Sequence, residues 1–137
     1  MDIKEIETDL SNKLSKKRFI HTLGVVNSAM YLAQKYGANI ENAHLAALLH
    51  DCAKEIPLLE MRDLVANLPC DQDMLHSGAL LHGLAGMVLA NTQYGVTNPD
   101  ILEAIRVHTT GKENMSKLDK IIFLADYIEP NRKFPGV

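Results

Sequence analysis

Two chemically demanding residues stand side by side in an apolar run: His50 and Asp51, within Ala46-Ala47-Leu48-Leu49-His50-Asp51-Cys52-Ala53-Lys54. Burying an imidazole and a carboxylate there is unfavourable unless they are paired, hydrogen-bonded or bound to a metal. His21 and Asp126 sit in comparable apolar helical surroundings, and the four together make a mixed nitrogen and oxygen donor set. Such a set suits iron, manganese or zinc, for one or two ions, and is too nitrogen-rich for calcium and usually for magnesium. Three helices would supply it. Adjacent helical residues point about 100° apart, so His50 and Asp51 reach one ion from a single helix only if it lies against the seam between them.

Around this set stand residues suited to a phosphate. Lys54 falls one helical turn beyond His50, on the same face, where its ammonium can reach a phosphate held by the metal. His82 is followed by Gly83, and His108 by Thr109-Thr110-Gly111, small or hydroxylic neighbours that leave room for a ligand beside each imidazole. These two histidines could complete a second metal site, bind phosphate or assist proton transfer, since imidazole titrates near neutral pH. Arg18, one turn before His21, and Arg132 after the last helix offer forked donors for phosphate. His44 and His76 lack such company and read as ordinary histidines, and Cys52 reads as a small core residue.

Positioning these groups falls to helices. No strand-like alternation persists, whereas period-3.6 patterns recur between Gly, Pro and Asn punctuation, which predicts an all-α bundle of about seven helices. They run from about Asp2 to Leu14, Ser15 to Tyr36, Asn39 to Lys54, Leu58 to Leu68, Met74 to Tyr94, Ile101 to Thr109, and Ser116 through Asp126. Gly37, Gly95 and Gly111 supply stops, Asn98-Pro99 a start, and Ser116 with Asp119 a capping box. Small residues in Leu81-His82-Gly83-Leu84-Ala85-Gly86 permit a neighbouring helix to come close.

A length of 137 residues predicts one domain, 1–137, with one core. With 47% hydrophobic and 23% charged residues, and no apolar run near the roughly 18 residues of a membrane helix, no membrane partner is expected. The first residues lack the layout of a signal peptide, so a cytoplasmic location is expected. A net charge of -3 and the lack of Trp disfavour nucleic acid as a partner. Two cysteines without metal-knuckle spacing make neither a disulfide scaffold nor a thiolate metal site.

His21, the His50-Asp51 pair and Asp126, in that order, resemble the signature of the HD superfamily of metal-dependent phosphohydrolases. Five segments are similar to its YqeK-like family: His21-Thr22-Leu23-Gly24-Val25, Leu48 to Lys54, Leu81-His82-Gly83, Ala104 to Gly111, and Ala125-Asp126-Tyr127-Ile128-Glu129-Pro130-Asn131-Arg132. The resemblance implies a compact HD-domain helical bundle and symmetrical hydrolysis of dinucleoside tetraphosphates, chiefly diadenosine tetraphosphate, to two nucleoside diphosphates by a metal-activated water. It implies iron as the metal, held by His21, His50, Asp51 and Asp126. Asp51, Lys54, His82 and His108 are then expected in catalysis, and Arg18, His21, Lys54, His82, His108, Thr109 and Arg132 at the nucleotide. Members of that family continue past the Phe134-Pro135-Gly136-Val137 point, so part of the nucleotide pocket is expected from residues beyond it. Two other readings stand beside this one: hydrolysis of another nucleotide (a nucleoside monophosphate, a deoxynucleoside triphosphate or a cyclic dinucleotide), and a non-catalytic nucleotide-binding regulatory domain. A homodimer fits any of them.

Overall fold

Side-chain caps set most of the helix starts. In the computed structural model, which describes residues 1–129, Asp2 opens α1 (Ile3–Lys13) with a full capping box to Glu5. Ser15, Asn39, Asp71, Ser77, Asn98 and Ser116 likewise accept from backbone N–H groups at the starts of α2 (Lys16–Tyr36), α3 (Ile40–Leu49), α5 (Gln72–Leu75), α6 (Gly78–Thr92), α7 (Pro99–Arg106) and α8 (Lys117–Ile128). Each satisfies a donor that the first turn of a helix leaves bare. Only α4 (Leu58–Leu64) starts without one, behind Pro57. The described residues contain no strand.

The bundle is organised around α2, which packs on α3 and α8, and α7, which lies against α6, α8 and α3. The larger apolar core takes Ile6 and Leu10 from α1, Val25, Ala29 and Leu32 from α2, Leu48 and Leu49 from α3, Ile105 from α7 and Ile122 from α8. A smaller cluster joins Met61 and Val65 to Leu81, Leu84 and Ala85 of α6. Among the described residues no helix is long and apolar enough to cross a membrane.

Eight helices stand among the described residues where about seven were expected. The stretch expected as one helix from Met74 to Tyr94 is two, because Ser77 starts a new helix by accepting from Leu80 N–H. The helix expected to reach Lys54 ends at Leu49. Beyond it the backbone runs in shorter bonds, from Cys52 N–H to Leu49 O, Lys54 N–H to Asp51 O and Ile56 N–H to Ala53 O. His50, the C-cap of α3 with right-handed helical dihedrals, and Asp51 therefore stand where the helix gives way to a tighter turn. Lys54 follows on that turn, half-buried, and does not share a helical face with His50.

Candidate metal centre

The turn after α3 carries His50 and Asp51, fully or almost fully buried. From α2, His21 directs Nε2 to within 2.8 Å of Asp126 Oδ1 on α8 and 3.6 Å of Asp51 Oδ2. His50 Nε2 lies 3.4 Å from Asp51 Oδ2 and 3.5 Å from Asp126 Oδ1. One donor atom from each of His21, His50, Asp51 and Asp126 falls within 4.8 Å of the other three. The side chain of Asp126 keeps 18% exposure, which marks the open side.

Asp51 also faces a second cluster. Its Oδ1 lies 3.3 Å from Nε2 of both His82 on α6 and His108 just past α7, while Oδ2 faces His21 and His50. The imidazoles share an orientation. His50 directs Nδ1 to Ala47 O at 2.6 Å, His82 to Gly78 O at 3.1 Å, and His108 to Ile105 O at 2.8 Å. A carbonyl only accepts, so each Nδ1 carries a hydrogen, and in its neutral form each ring turns the Nε2 lone pair inward. His50 Nε2 is buried and has no hydrogen-bond partner. A buried ring nitrogen facing two carboxylates without a bond to either calls for a proton or a cation beside it, and the two donor clusters fit divalent metal ions.

The model of the HD domain family, "HD domain", matches residues 18–131, a span containing every one of these donors. The chain belongs to the HD-domain family. A Halalkalibacterium halodurans protein named "Bis(5'-nucleosyl)-tetraphosphatase, symmetrical" is 50% identical over 125 residues, covering 90% of this chain and 67% of its own length. A Bacillus subtilis protein of the same name is 43% identical over 138 residues, covering 100% of this chain and 74% of its own length. The crystal structure of a Clostridium acetobutylicum protein, described as a predicted HD superfamily hydrolase involved in NAD metabolism, superposes with a TM-score of 0.95 at 42% identity, over 99% of this chain and 73% of that one.

Electrostatics at this HD site point the same way as its geometry. Burial opposes a charge on His50, but Asp51 and Asp126 outweigh it and push the imidazole up to about 10. Burial also opposes ionisation of Asp51, yet His50, with His108 and His82 close beside it, holds it well below the usual carboxylate range. Asp126 is held low too, against burial, by its hydrogen bond with His21 and by the nearby His50. For His108 burial prevails and lowers the imidazole. Cys52 is pushed up to about 12 by burial and by Asp51, which keeps it a thiol at neutral pH; it donates weakly to Gly86 O.

Of the residues expected at the HD site, His21, His50, Asp51 and Asp126 meet in one cluster and His82 and His108 in the adjoining one. Arg18 places Nη1 3.1 Å from Asp51 Oδ2. Thr109 is exposed, with Oγ1 3.5 Å from His82 Nε2. Arg132 lies outside the described residues. Gly83 leaves no room for a ligand: a Cβ there would come within 2.6 Å of Arg106 O, so this glycine admits α7 against α6. His44 and His76 belong to neither cluster.

Two carboxylates at the HD site went unassigned in the sequence. Glu55 accepts from Ser15 N–H at 2.8 Å and ties the His50-Asp51 turn to the start of the helix carrying Arg18 and His21. Glu129, only 1% exposed, places Oε2 2.9 Å from His21 Nδ1. Its one sequence signal is a glutamate three residues after Asp126, on the same side of the helix end.

Proposed function

We propose that residues 1–137 form one HD phosphohydrolase domain that cleaves dinucleoside tetraphosphates symmetrically, diadenosine tetraphosphate foremost, into two nucleoside diphosphates. The observation that carries hydrolysis at this site is the convergence of His21, His50, Asp51 and Asp126, with His50 Nε2 buried and bare. The substrate follows from the names of relatives that align along 90% and 100% of the chain. When bound, a divalent metal supplies a Lewis acid for phosphoryl oxygen and lowers the pKa of its water toward about 7. Iron is our assignment, with manganese and zinc also suited to this donor set.

The chain's own residues do the rest. His21, His50, Asp51 and Asp126 would hold one ion, and Asp51, His82 and His108 would hold a second. Arg18, whose side chain is 23% exposed beside Asp51, and half-buried Lys54 place positive charge where polyphosphate enters. Thr109 offers its hydroxyl to a phosphate oxygen at the same edge, and Arg132 completes the set. A departing nucleoside diphosphate is already a good leaving group, so His82 and His108 act in binding before acid catalysis. The reading includes action in the cytoplasm on a small nucleotide, without nucleic acid.

Turnover of diadenosine tetraphosphate by metal-loaded protein tests it. ADP is expected as the sole nucleotide product, with activity lost in His50→Ala and Asp126→Ala. AMP with ATP as products would overturn the symmetry, and full activity in both variants would overturn the site.

A further inference from the structure

Three of the four imidazoles at the site rest Nδ1 on backbone carbonyls, of Ala47, Gly78 and Ile105. His21 alone rests on a carboxylate, Glu129 Oε2 at 2.9 Å. It is also the most exposed of the four, at 7% against 0% for His50, 3% for His82 and 2% for His108. The end of α8 grips this ring on both nitrogens, Asp126 at Nε2 and Glu129 at Nδ1.

Glu129 has space only because residue 24, one turn past His21 on α2, is a glycine. A Cβ at Gly24 would land on the Glu129 carboxyl group. Gly24 lies in the middle of α2 without a positive φ, so the backbone does not call for glycine there. A glycine inside a helix weakens it relative to alanine. What Gly24 provides is the cleft that Glu129 fills.

We propose that Glu129 is a positioning residue for the metal, acting through His21, and that Gly24 is the glycine that admits it. This rests on the metal reading above. A carboxylate accepting from Nδ1–H fixes the tautomer that turns the Nε2 lone pair inward, and it makes that nitrogen a stronger donor than a carbonyl would. A charge-assisted bond of this kind is roughly twice as strong as a neutral one. The other three histidines have their orientation fixed by backbone carbonyls; His21, the least buried of the four, has it fixed by charge.

Titrating the metal-free full chain with Co2+, followed by the visible absorption of the bound ion, tests this without reference to turnover. Glu129→Gln keeps an acceptor oxygen and loses the charge, and should weaken Co2+ binding about 10-fold; Glu129→Ala should weaken it about 100-fold, the span expected for partners behind a metal ligand. Gly24→Ala, which leaves Glu129 in the chain but displaces it, should fall between them, with an altered Co2+ spectrum. The metal-free melting temperature of Glu129→Gln should stay near that of the unaltered chain. If Glu129 merely clasps α2 to α8, the metal-free melting temperature falls while Co2+ affinity and spectrum stay the same, and the proposal is overturned. Should Glu129→Ala not fold, Glu129→Gln decides alone. No Co2+ uptake by the unaltered chain would overturn the metal reading and this proposal with it.

Discussion

Nε2 of His82 and Nε2 of His108 lie 3.0 Å apart, although each ring commits Nδ1–H to a backbone carbonyl. Two neutral rings so arranged would aim lone pair at lone pair across a buried gap. The contact is stable only with a proton or a cation between or beside the two nitrogens, and Asp51 Oδ1, 3.3 Å from each, completes a three-donor set there. Because the other oxygen of Asp51 faces His21 and His50, one carboxylate links both positions.

Removing either histidine should therefore separate the two positions. Elemental analysis is expected to give two ions per chain for the unaltered protein and one for His82→Ala and His108→Ala. Loss of a partner behind a metal ligand already lowers activity by about 10–100-fold, so loss of a direct ligand should reduce turnover by about 100-fold or more. Full metal content in both variants would rule out the second position.

The two glycines of α6 near the site separate packing from ligand binding. At Gly83 a Cβ would sit 2.6 Å from Arg106 O and 3.3 Å from Ile105 O, which are rigid backbone atoms. Overpacking of this kind costs about 1–3 kcal/mol, more than the roughly 1 kcal/mol an alanine gains inside a helix. Gly83→Ala should thus lose up to about 2 kcal/mol in urea unfolding. At Gly86 the nearest atom is 3.4 Å away, on the side chain of Ile105, so Gly86→Ala should come within about 1 kcal/mol of the unaltered protein.

The convergence of His21, His50, Asp51 and Asp126 is legible in the sequence because they are polar residues in apolar helical runs, and burying such residues demands a partner. The end of α3 is not. Its Ala and Leu pattern continues without a break to Lys54, and what stands at the end is His50 itself, whose Nδ1–H takes the Ala47 carbonyl. Gly83 was read as space for a ligand, when a glycine serves equally to admit a helix; only the position of Arg106 O decides between them. Glu129 follows exposed Tyr127 and Ile128 and resembles a solvated helix end. Its burial depends on Gly24, on a different helix, a relationship that no local pattern records.

Arg18 and Lys54 differ from the ligands in what their loss should do. Neither belongs to a donor cluster, so Lys54→Ala should retain full metal content, while Arg18→Ala, which removes a hydrogen bond to Asp51, should weaken metal binding by about 10-fold without abolishing it. A hydrogen bond to a charged group contributes about 1.5–3 kcal/mol, which corresponds to about a 10–150-fold fall in kcat/KM for diadenosine tetraphosphate, carried mainly by KM. Metal loss in Lys54→Ala would show instead that Lys54 supports the turn bearing His50 and Asp51.

The loop after His108 is pinned by charge, and acid should release it. Glu103 accepts from Arg106 Nε and Nη2 at 2.6 and 2.8 Å and pairs with Lys112, joining α7 to the segment that follows His108. The Arg106 hydrogen bonds, against some burial and with help from Lys112, hold Glu103 down at about 2, below its ordinary 4.5. A carboxyl group lowered by folding stabilises the native state above its unfolded value, and that contribution fades as pH falls from about 4.5 toward about 2. The stability gap between the unaltered protein and Glu103→Gln, read from urea midpoints, should be constant from pH 7 to 5 and narrow steadily from pH 4.5 to 3. A gap that stays constant to pH 3 would mean that the ionised form of Glu103 contributes nothing to holding this loop.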